Sequence, residues 1–327
     1  MSEIQKDTTA LFSCRASLYL AEKISEIYEK PLGESVCLQY ADGEFQPSFE
    51  QNIRGCDVFI IQSTFAPADN VMELLMMVDA AKRASAKRII AVIPYFGFAR
   101  QDRKDKPRVP ITAKLMADLL QAAGVNRVIA MDLHADQIQG FFNIPLDHLQ
   151  ASSIFIPYLR GICENVNNLL FASPDAGGAK RASQYAKILG TGFVMCHKQR
   201  LRPNEIASMQ LIGDVTGKDV ILVDDIIDTG GTLCNAAKLI KESGANTVRA
   251  MITHPILSGE AVNKIENSVL EELIVTDTIP LKKESKKIKV LSVAPIFAEA
   301  IRRVENSESI ADLYEKAVQQ VGLQTKF

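Results

Sequence analysis

The sequence contains no tryptophan and only four histidines, and its six cysteines stand singly at positions 14, 37, 56, 163, 196 and 234. It has no Cys-x-x-Cys pair and no cysteine and histidine spacing suited to zinc, which argues against a structural zinc site. We interpret the cysteines as buried thiols of a protein in a reducing cytosol.

Charge imbalance and long apolar runs are also missing. The 37 Lys and Arg residues nearly balance 39 Asp and Glu residues, and a formal charge of −2 argues against a general nucleic-acid binder. No apolar run approaches the roughly 18–20 residues of a membrane helix, and the polar start, Met1–Asp7, is unlike a signal peptide. With 47% apolar residues, the 327-residue chain is expected to be a cytoplasmic protein of two domains that binds neither membrane nor nucleic acid.

Apolar runs alternate with segments of helical periodicity through most of the chain. In the first half, this pattern predicts strands over 57–62, 89–93 and 128–131 and helices over 71–85 and 111–123. Continuous apolar strands are typical of a parallel sheet covered by helices on both faces. The order strand, helix, strand therefore predicts an α/β fold built from right-handed βαβ units.

The second half repeats features of the first. The runs Gly55-Cys-Asp-Val and Gly217-Lys-Asp-Val each precede an apolar strand, a helix with Ala-Ala-Lys and a strand that ends in proline. We interpret the chain as two copies of one α/β domain, 1–152 and 153–307; because the offsets between the repeats drift, chance similarity is the alternative. The amphipathic segment Ile310 to Val321 predicts a last helix, within about 308–327, that could dock on either half and that we assign to the first.

The most specific motif, Asp224-Asp-Ile-Ile-Asp-Thr-Gly-Gly-Thr, lies between an apolar strand and a predicted helix that begins near Leu233. Glycines let the backbone fold around an anion, and the N–H groups at a helix start point at it. The paired acids at the strand end would accept hydrogen bonds from sugar hydroxyls. The motif therefore predicts a sugar-phosphate site and lacks the Gly-Lys-Ser/Thr ending of an ATP-binding P-loop. The alternative is a plain turn in which Asp228 caps the helix.

A second candidate site is the stretch from Tyr95 to Pro110, where five cations and two acids give a local charge of +3. It joins a strand to a helix, and ligands of open α/β sheets bind at such positions. Arg100 could contact phosphate or stack on a base, and Gln101 could hydrogen-bond an adenine edge. A solvated basic loop is the alternative.

Two further strand ends carry candidate residues. His134, in Met131-Asp-Leu-His-Ala, could contact Mg²⁺ or ATP, although a structural histidine is the alternative. Asp175 opens a second Gly-rich turn, Pro174-Asp-Ala-Gly-Gly-Ala-Lys-Arg, which suits a Mg²⁺-bound diphosphate or a sugar hydroxyl unless it is a simple capped helix start.

Two segments are less specific. His197-Lys-Gln-Arg-Leu-Arg-Pro carries three cations and little helical pattern. Cations on a mobile arm can close over a transferring phosphoryl group, but a solvated charge run is the alternative. The Asp42-Gly43 step of Asp42-Gly43-Glu44 predicts a turn and by itself indicates no more than a hairpin.

Five segments, four of them within the candidates above, occur in order and together resemble the ribose-phosphate pyrophosphokinase (5-phosphoribosyl 1-diphosphate synthetase) family of the phosphate-activated bacterial type. They are Phe98–Lys106, Met131–Ala135, Gln137–Phe142, Pro174–Arg181 and Val223–Thr232. The resemblance implies two similar phosphoribosyltransferase-type domains, each a mainly parallel sheet flanked by helices. It implies that the β,γ-diphosphate of ATP is transferred, with Mg²⁺, to the anomeric hydroxyl of ribose 5-phosphate, which gives 5-phosphoribosyl 1-diphosphate and AMP. It also implies activation by inorganic phosphate and a homo-oligomer, a hexamer.

The resemblance further implies roles for single residues. Lys198 and Arg200 would be catalytic, and His134 and Asp175 would serve Mg²⁺ and the triphosphate. The ATP-binding residues would be Arg100, Gln101 and Asp105, with Asp42, Gly43 and Glu44 reaching the adenine from a neighbouring subunit. Ribose 5-phosphate would be held by Arg200, Asp224, Asp225, Asp228, Thr229, Gly230, Gly231 and Thr232.

Two other functions stay open on the sequence. A phosphoribosyltransferase would need Asp224–Thr232 but not Arg100, Gln101 or the cationic arm. A non-catalytic regulatory homologue would be favoured by loss of Lys198 or of the phosphate loop, and both are present. Asn143 stands where relatives often have Asp, and we leave this weaker Mg²⁺ ligand out of the metal set.

Overall fold

The computed structural model describes residues 9–162, 166–199, 208–311 and 313. They form two compact units, of which the first contains residues up to Gln150 together with Ala294–Ala311, and the second contains Ala151–Val293. None of the helices in the described ranges is long and apolar enough to cross a membrane.

The first unit is built on a five-stranded parallel sheet in the order β1-β4-β5-β6-β7, while β2 and β3 form a separate antiparallel hairpin. Its core surrounds Phe12, Ile60 and Leu74. Its elements are β1 (Thr9–Ser13), α1 (Leu18–Tyr28), β2 (Ser35–Gln39), β3 (Phe45–Phe49), β4 (Asp57–Ile61), α2 (Asp69–Arg83), β5 (Arg88–Ile93), α3 (Thr112–Ala123), β6 (Arg127–Met131) and β7 (Leu146–Leu149), with 3-10 turns at Arg15–Ser17 and Asp136–Phe141.

The second unit has a seven-stranded sheet in the order β10-β9-β8-β11-β12-β13-β14, in which β10 pairs antiparallel with β9 and the other pairs are parallel. A separate core surrounds Leu222, Ala250 and Leu273. The elements are α4 (Ser152–Ile162), β8 (Leu169–Ser173), α5 (Ala179–Leu189), β9 (Gly192–Gln199), β10 (Ser208–Ile212), β11 (Asp219–Ile227), α6 (Gly231–Glu242), β12 (Thr247–Pro255), α7 (Ala261–Glu266), β13 (Glu272–Thr276) and β14 (Ile288–Leu291), with a 3-10 turn at Val166–Asn168.

The two units repeat one topology. The parallel order β1-β4-β5-β6-β7 of the first unit returns as β8-β11-β12-β13-β14 in the second. The turns before the equivalent strands β4 and β11 are also alike. Gly55 (φ 75°) donates its N–H to Ser85 O at 2.9 Å, and Gly217 (φ 69°) donates its N–H to Gly244 O at 2.9 Å. The predicted α/β fold with parallel sheets flanked by helices is confirmed.

One segment belongs to a different unit from the one expected. Residues 294–307 were assigned to the second domain, but α8 (Ala294–Glu305) lies in the first unit. It packs against α1, and Glu305 accepts hydrogen bonds from the hydroxyls of Thr9, at 2.5 Å, and Tyr28. Because this contact joins the two ends of the chain, helical periodicity alone cannot predict it. The helix expected within 308–327 lies largely outside the described residues.

Candidate active site

The predicted sugar-phosphate loop connects the buried strand β11 to α6 in the second unit. Gly230 stands at the N-cap of α6 with φ 74°, a left-handed conformation that favours glycine. Asp228 therefore stands two residues before the N-cap, and not at the N-cap position that the alternative gave it. The first N–H groups of an α-helix have no partner within the helix, and such groups bind anions.

The second Gly-rich turn lies directly against this loop, because β8 and β11 are neighbouring parallel strands. A Cβ atom at Gly178 would lie 2.6 Å from Ser173 Oγ and 3.5 Å from Asp224 Oδ1. Asp175 Oδ1 accepts the N–H groups of Gly177 at 2.8 Å and Gly178 at 3.2 Å. Two motifs that are 50 residues apart in the sequence thus form one cluster of polar groups.

The acids of the cluster have distinct surroundings. Asp224 is half-buried and accepts the N–H of Asp225 at 2.9 Å, whereas Asp225 is 5% exposed and lies 3.9 Å from Arg181 Nη2. Burial raises the pKa of Asp224 well above its ordinary value, and the charges of Asp225 and Asp175 raise it further. An acid whose ionisation is disfavoured, next to a Gly-rich helix start, is typical of a functional site.

Two contacts that the sequence did not predict hold the loop from the outside. Lys264 on α7 donates from Nζ to Thr229 O at 3.1 Å, across 35 residues of sequence, and Ser258 donates its N–H to Asp228 O at 3.0 Å. Arg181, which lies 3.9 Å from Asp225, belongs to the recognised motif Pro174–Arg181. Its contact with Asp225 could have been predicted, because the two motifs follow strands that are neighbours in the sheet. No sequence signal singles out Lys264.

In the first unit, the cation-rich loop begins at a tight backbone contact. A Cβ atom at Gly97 would lie 2.0 Å from Thr64 O, and Gly97 donates its N–H to Thr64 Oγ1 at 2.7 Å. Gln101 donates its N–H to Phe98 O at 3.0 Å and accepts a hydrogen bond from the Thr112 hydroxyl. The loop is thus fixed at its base, while the predicted ATP-binding residues Arg100, Gln101 and Asp105 are exposed.

The turn that carries His134 is positioned by a second histidine. His134 is exposed, and the preceding N–H, that of Leu133, donates to His148 Nε2 at 2.9 Å. An acceptor at Nε2 assigns the proton of a neutral His148 to Nδ1. His148 lies on β7 and was not predicted, although the adjacent ends of β6 and β7 were a signal for it.

The predicted Asp-Gly turn forms the tip of the β2–β3 hairpin. Gly43 adopts φ 97°, and Asp42 Oδ1 accepts the N–H of Glu44 at 3.0 Å. All three residues are exposed, so Asp42, Gly43 and Glu44 could meet a ligand from outside the unit.

The catalytic candidates lie at the edge of the described residues. The backbone of Lys198 belongs to β9 and pairs with Met209, but its side chain, and the whole of Arg200, lie outside the described residues.

The two metal candidates belong to different units. His134 lies in the first unit and Asp175 in the second. The described residues include no group of three or more His, Cys, Asp or Glu that could hold a metal ion.

The first unit has no equivalent of the phosphate loop. The corresponding β4–α2 connection contains Pro67 where the second unit has its glycines, and it places Asp69 in the first turn of α2. A carboxylate at a helix start repels an anion. Of the two described copies, only the second therefore has a Gly-rich turn at this position.

Comparison with known proteins covers nearly the whole chain. Residues 9–124 match the family described as the N-terminal domain of ribose phosphate pyrophosphokinase, and residues 198–315 match the phosphoribosyl synthetase-associated domain. A ribose-phosphate pyrophosphokinase of Porphyromonas gingivalis is 57% identical over 305 residues, which cover 93% of this chain and 97% of the relative. One of Campylobacter jejuni is 52% identical, with 93% and 98% covered. The crystal structure of phosphoribosylpyrophosphate synthetase from Mycobacterium smegmatis is 39% identical with a TM-score of 0.87, covering 92% of this chain and 100% of that one.

Proposed function

Because the chain belongs to the ribose-phosphate pyrophosphokinase family, we propose that it transfers the β,γ-diphosphate of ATP to the anomeric hydroxyl of ribose 5-phosphate, with 5-phosphoribosyl 1-diphosphate and AMP as products. The family resemblance predicted from the motifs is confirmed, and with it the enzyme class. The relatives carry the pyrophosphokinase name over 97–98% of their own length, which favours this function over the phosphoribosyltransferase and regulatory alternatives.

The observation that carries the sugar-phosphate half of the proposal is the start of α6 at the left-handed Gly230, which follows directly on the acids of β11. The N–H groups of α6 and the hydroxyls of Thr229 and Thr232 would hold the 5-phosphate. Asp224 and Asp228 would accept hydrogen bonds from the ribose hydroxyls, and Asp225 would complete the acid pair while Arg181 balances its charge.

In the first unit, Arg100, Gln101 and Asp105 would bind ATP, and Asp42–Glu44 would contact the adenine ring. The anomeric oxygen then attacks the β-phosphorus, the bond from that phosphorus to the α,β-bridging oxygen breaks, and AMP leaves with the bridging oxygen as the hydroxyl proton is released. Such a transfer depends on positioning and charge stabilisation more than on a dedicated base. The cations Lys198 and Arg200 would stabilise the charge of the transition state.

Mg²⁺ would neutralise phosphate charge when bound, with ligands from Asp175 and His134. Asp175 Oδ1 accepts two N–H groups, which fixes the orientation of the carboxylate that would supply an oxygen ligand. His134, which is exposed, would contact the triphosphate of ATP. We include in the proposal activation by inorganic phosphate, a cytoplasmic location and a homo-hexamer in which Asp42–Glu44 serve a neighbouring subunit.

The reaction is tested by the formation of AMP. The purified chain, supplied with phosphate, should make AMP from ATP when ribose 5-phosphate and Mg²⁺ are both present and should make none when either is omitted. Lys198→Ala should lower kcat by about 10²–10³-fold while ATP still binds. No AMP under complete conditions would refute the proposal.

The sugar site is tested separately with Asp228→Ala. Loss of a charge-assisted hydrogen bond should raise KM for ribose 5-phosphate by about 10-fold or more, with little change for ATP. Equal losses for both substrates would contradict the assignment of this loop.

A further inference from the structure

A side chain outside every recognised motif contacts the strand pair next to the turn that carries Asp42–Glu44. Arg15, in the 3-10 turn after β1, donates from Nη1 to Gln39 Oε1 at 3.2 Å. Its guanidinium carbon also lies 4.8 Å from the centre of the Phe45 ring. Gln39 and Phe45 are the cross-strand pair at which β2 ends and β3 begins, so Arg15 holds both sides of the turn.

Arg15 is itself held by a buried acid. Glu73 on α2 is 3% exposed, accepts the backbone N–H of Arg15 at 2.9 Å with Oε1, and accepts Arg15 Nε at 3.0 Å with Oε2. Two bonds to one carboxylate fix both the backbone and the side chain of Arg15. The guanidinium therefore has a defined position relative to the rigid helix α2.

The contacts continue from Gln39 into the turn. Gln39 Nε2 donates to Gly43 O at 2.8 Å and to Glu44 O at 3.2 Å, so the amide that accepts from Arg15 also holds the carbonyls of the turn. A two-stranded hairpin is marginally stable by itself. At its other end the hairpin is anchored by the edge-to-face contact of Phe49 with Phe12, whose ring centres are 4.6 Å apart.

We propose that the series Glu73, Arg15, Gln39, which we call the hairpin relay, sets the orientation of Asp42–Glu44, and that Arg15 is a positioning residue for recognition of the nucleotide base. The inference rests on the proposed function, in which this turn meets the adenine. Arg15 does not touch the nucleotide; it acts through Gln39 and Phe45.

The geometry requires arginine rather than a simple cation. The planar guanidinium binds Glu73 through Nε, binds Gln39 through Nη1 and presents a face to Phe45. A lysine ammonium could pair with Glu73 but could not make all three contacts. Arg15→Lys is therefore the informative variant, because it keeps a positive charge beside the buried carboxylate of Glu73 but cannot keep all three contacts.

The test compares Arg15→Lys and Gln39→Leu with the unchanged full-length chain. Each variant should raise KM for ATP by about 3–10-fold, leave KM for ribose 5-phosphate unchanged, and lower the preference for ATP over GTP in kcat/KM. A loss of stability alone would not change base preference. In hydrogen exchange, the Tyr40 amide, which donates to Glu44 O at 2.8 Å, should lose protection in both variants.

The matched control is Arg83→Lys, which alters an exposed arginine of α2 that pairs with Asp79. It should leave both KM values, the base preference and the Tyr40 amide unchanged. The proposal would be wrong if Arg15→Lys changed neither the preference for ATP over GTP nor the exchange of the Tyr40 amide. It would also be wrong if KM for ATP and KM for ribose 5-phosphate rose equally. If the unchanged chain made no AMP, the proposed function would fail, while exchange of the Tyr40 amide would still decide whether Arg15 orients the turn.

Discussion

At the scale of single residues, the site contains an acid whose ionisation opposes folding. Burial, aided by the charges of Asp225 and Asp175, raises the pKa of Asp224 well above its ordinary value. In the unfolded chain the group ionises near about 3.9. Above the folded-state pKa the folded chain therefore bears the cost of the buried charge, and this cost disappears as the pH falls toward about 4.

Asp224→Asn should consequently stabilise the Mg²⁺-free protein at neutral pH while it weakens binding of ribose 5-phosphate. Each 1 kcal/mol gained would raise the melting temperature by about 2–4 °C. Thermal unfolding at a series of pH values measures the effect, and the advantage over the unchanged chain should shrink as the pH falls. The control is Asp214→Asn: the N–H and hydroxyl of Thr216 lower the pKa of Asp214, so this change should bring no gain at neutral pH. A variant of Asp224 that was less stable at neutral pH would contradict the electrostatic account.

The residues that the sequence predicted and those that it missed differ in one physical respect. Asp224, Gly230 and Asp175 lie in local motifs, where residue type and spacing indicate the chemistry. His148 and Lys264 act on those motifs through tertiary contacts and lie outside every motif, and Arg181, although it lies within the Pro174–Arg181 motif, meets Asp225 of another motif only through the fold. Motif residues could thus be predicted, while the residues that position them required the fold.

At the scale of elements, the Gly-rich turn before α6 is contacted by a neighbouring helix. Lys264 on the short helix α7 holds the Thr229 carbonyl at 3.1 Å, and this carbonyl precedes the left-handed Gly230. Its amino group also adds positive charge next to the proposed phosphate position. The turn is therefore shaped from outside the β11–α6 motif.

Lys264→Met should raise KM for ribose 5-phosphate by about 3–10-fold and leave KM for ATP unchanged. Steady-state kinetics with each substrate varied in turn measures both values. Lys238→Met is the control, because Lys238 forms an exposed pair with Glu242 on α6 itself, at 3.8 Å, and should have no effect on either value. If the two variants behaved alike, general surface charge rather than the contact with Thr229 would explain the result.

The sequence predicts where strands begin and end better than it predicts which elements pack against each other. The strands at Asp57–Ile61, Arg88–Ile93 and Arg127–Met131 lie within a residue of the predicted ranges, because continuous apolar runs specify buried parallel strands. The repeated halves predicted the shared topology. The packing of α8 on the first unit was not predicted, since its apolar face would fit any exposed helix or sheet surface.

At the scale of the whole molecule, the chain returns to its first unit after completing the second. The carboxylate of Glu305, at the end of α8, accepts the hydroxyls of Thr9 on β1 and Tyr28 on α1, so the last described helix closes onto the first strand and helix. These bonds lie entirely within the first unit. Their loss should destabilise that unit selectively.

Glu305→Ala leaves two hydroxyls without their charged acceptor and should cost the first unit about 2–3 kcal/mol. Amides of β1 and α1 should then exchange up to about 30–150-fold faster, while amides of β8 and β11 keep their protection; hydrogen exchange with mass spectrometry measures both sets. The control in the second unit is Glu271→Ala, which breaks an exposed pair with Arg249 at 2.8 Å and should leave β1 and α1 unchanged. Protection lost equally in β1 and β11, or lost in α8 alone, would show that α8 does not stabilise the first unit through Glu305.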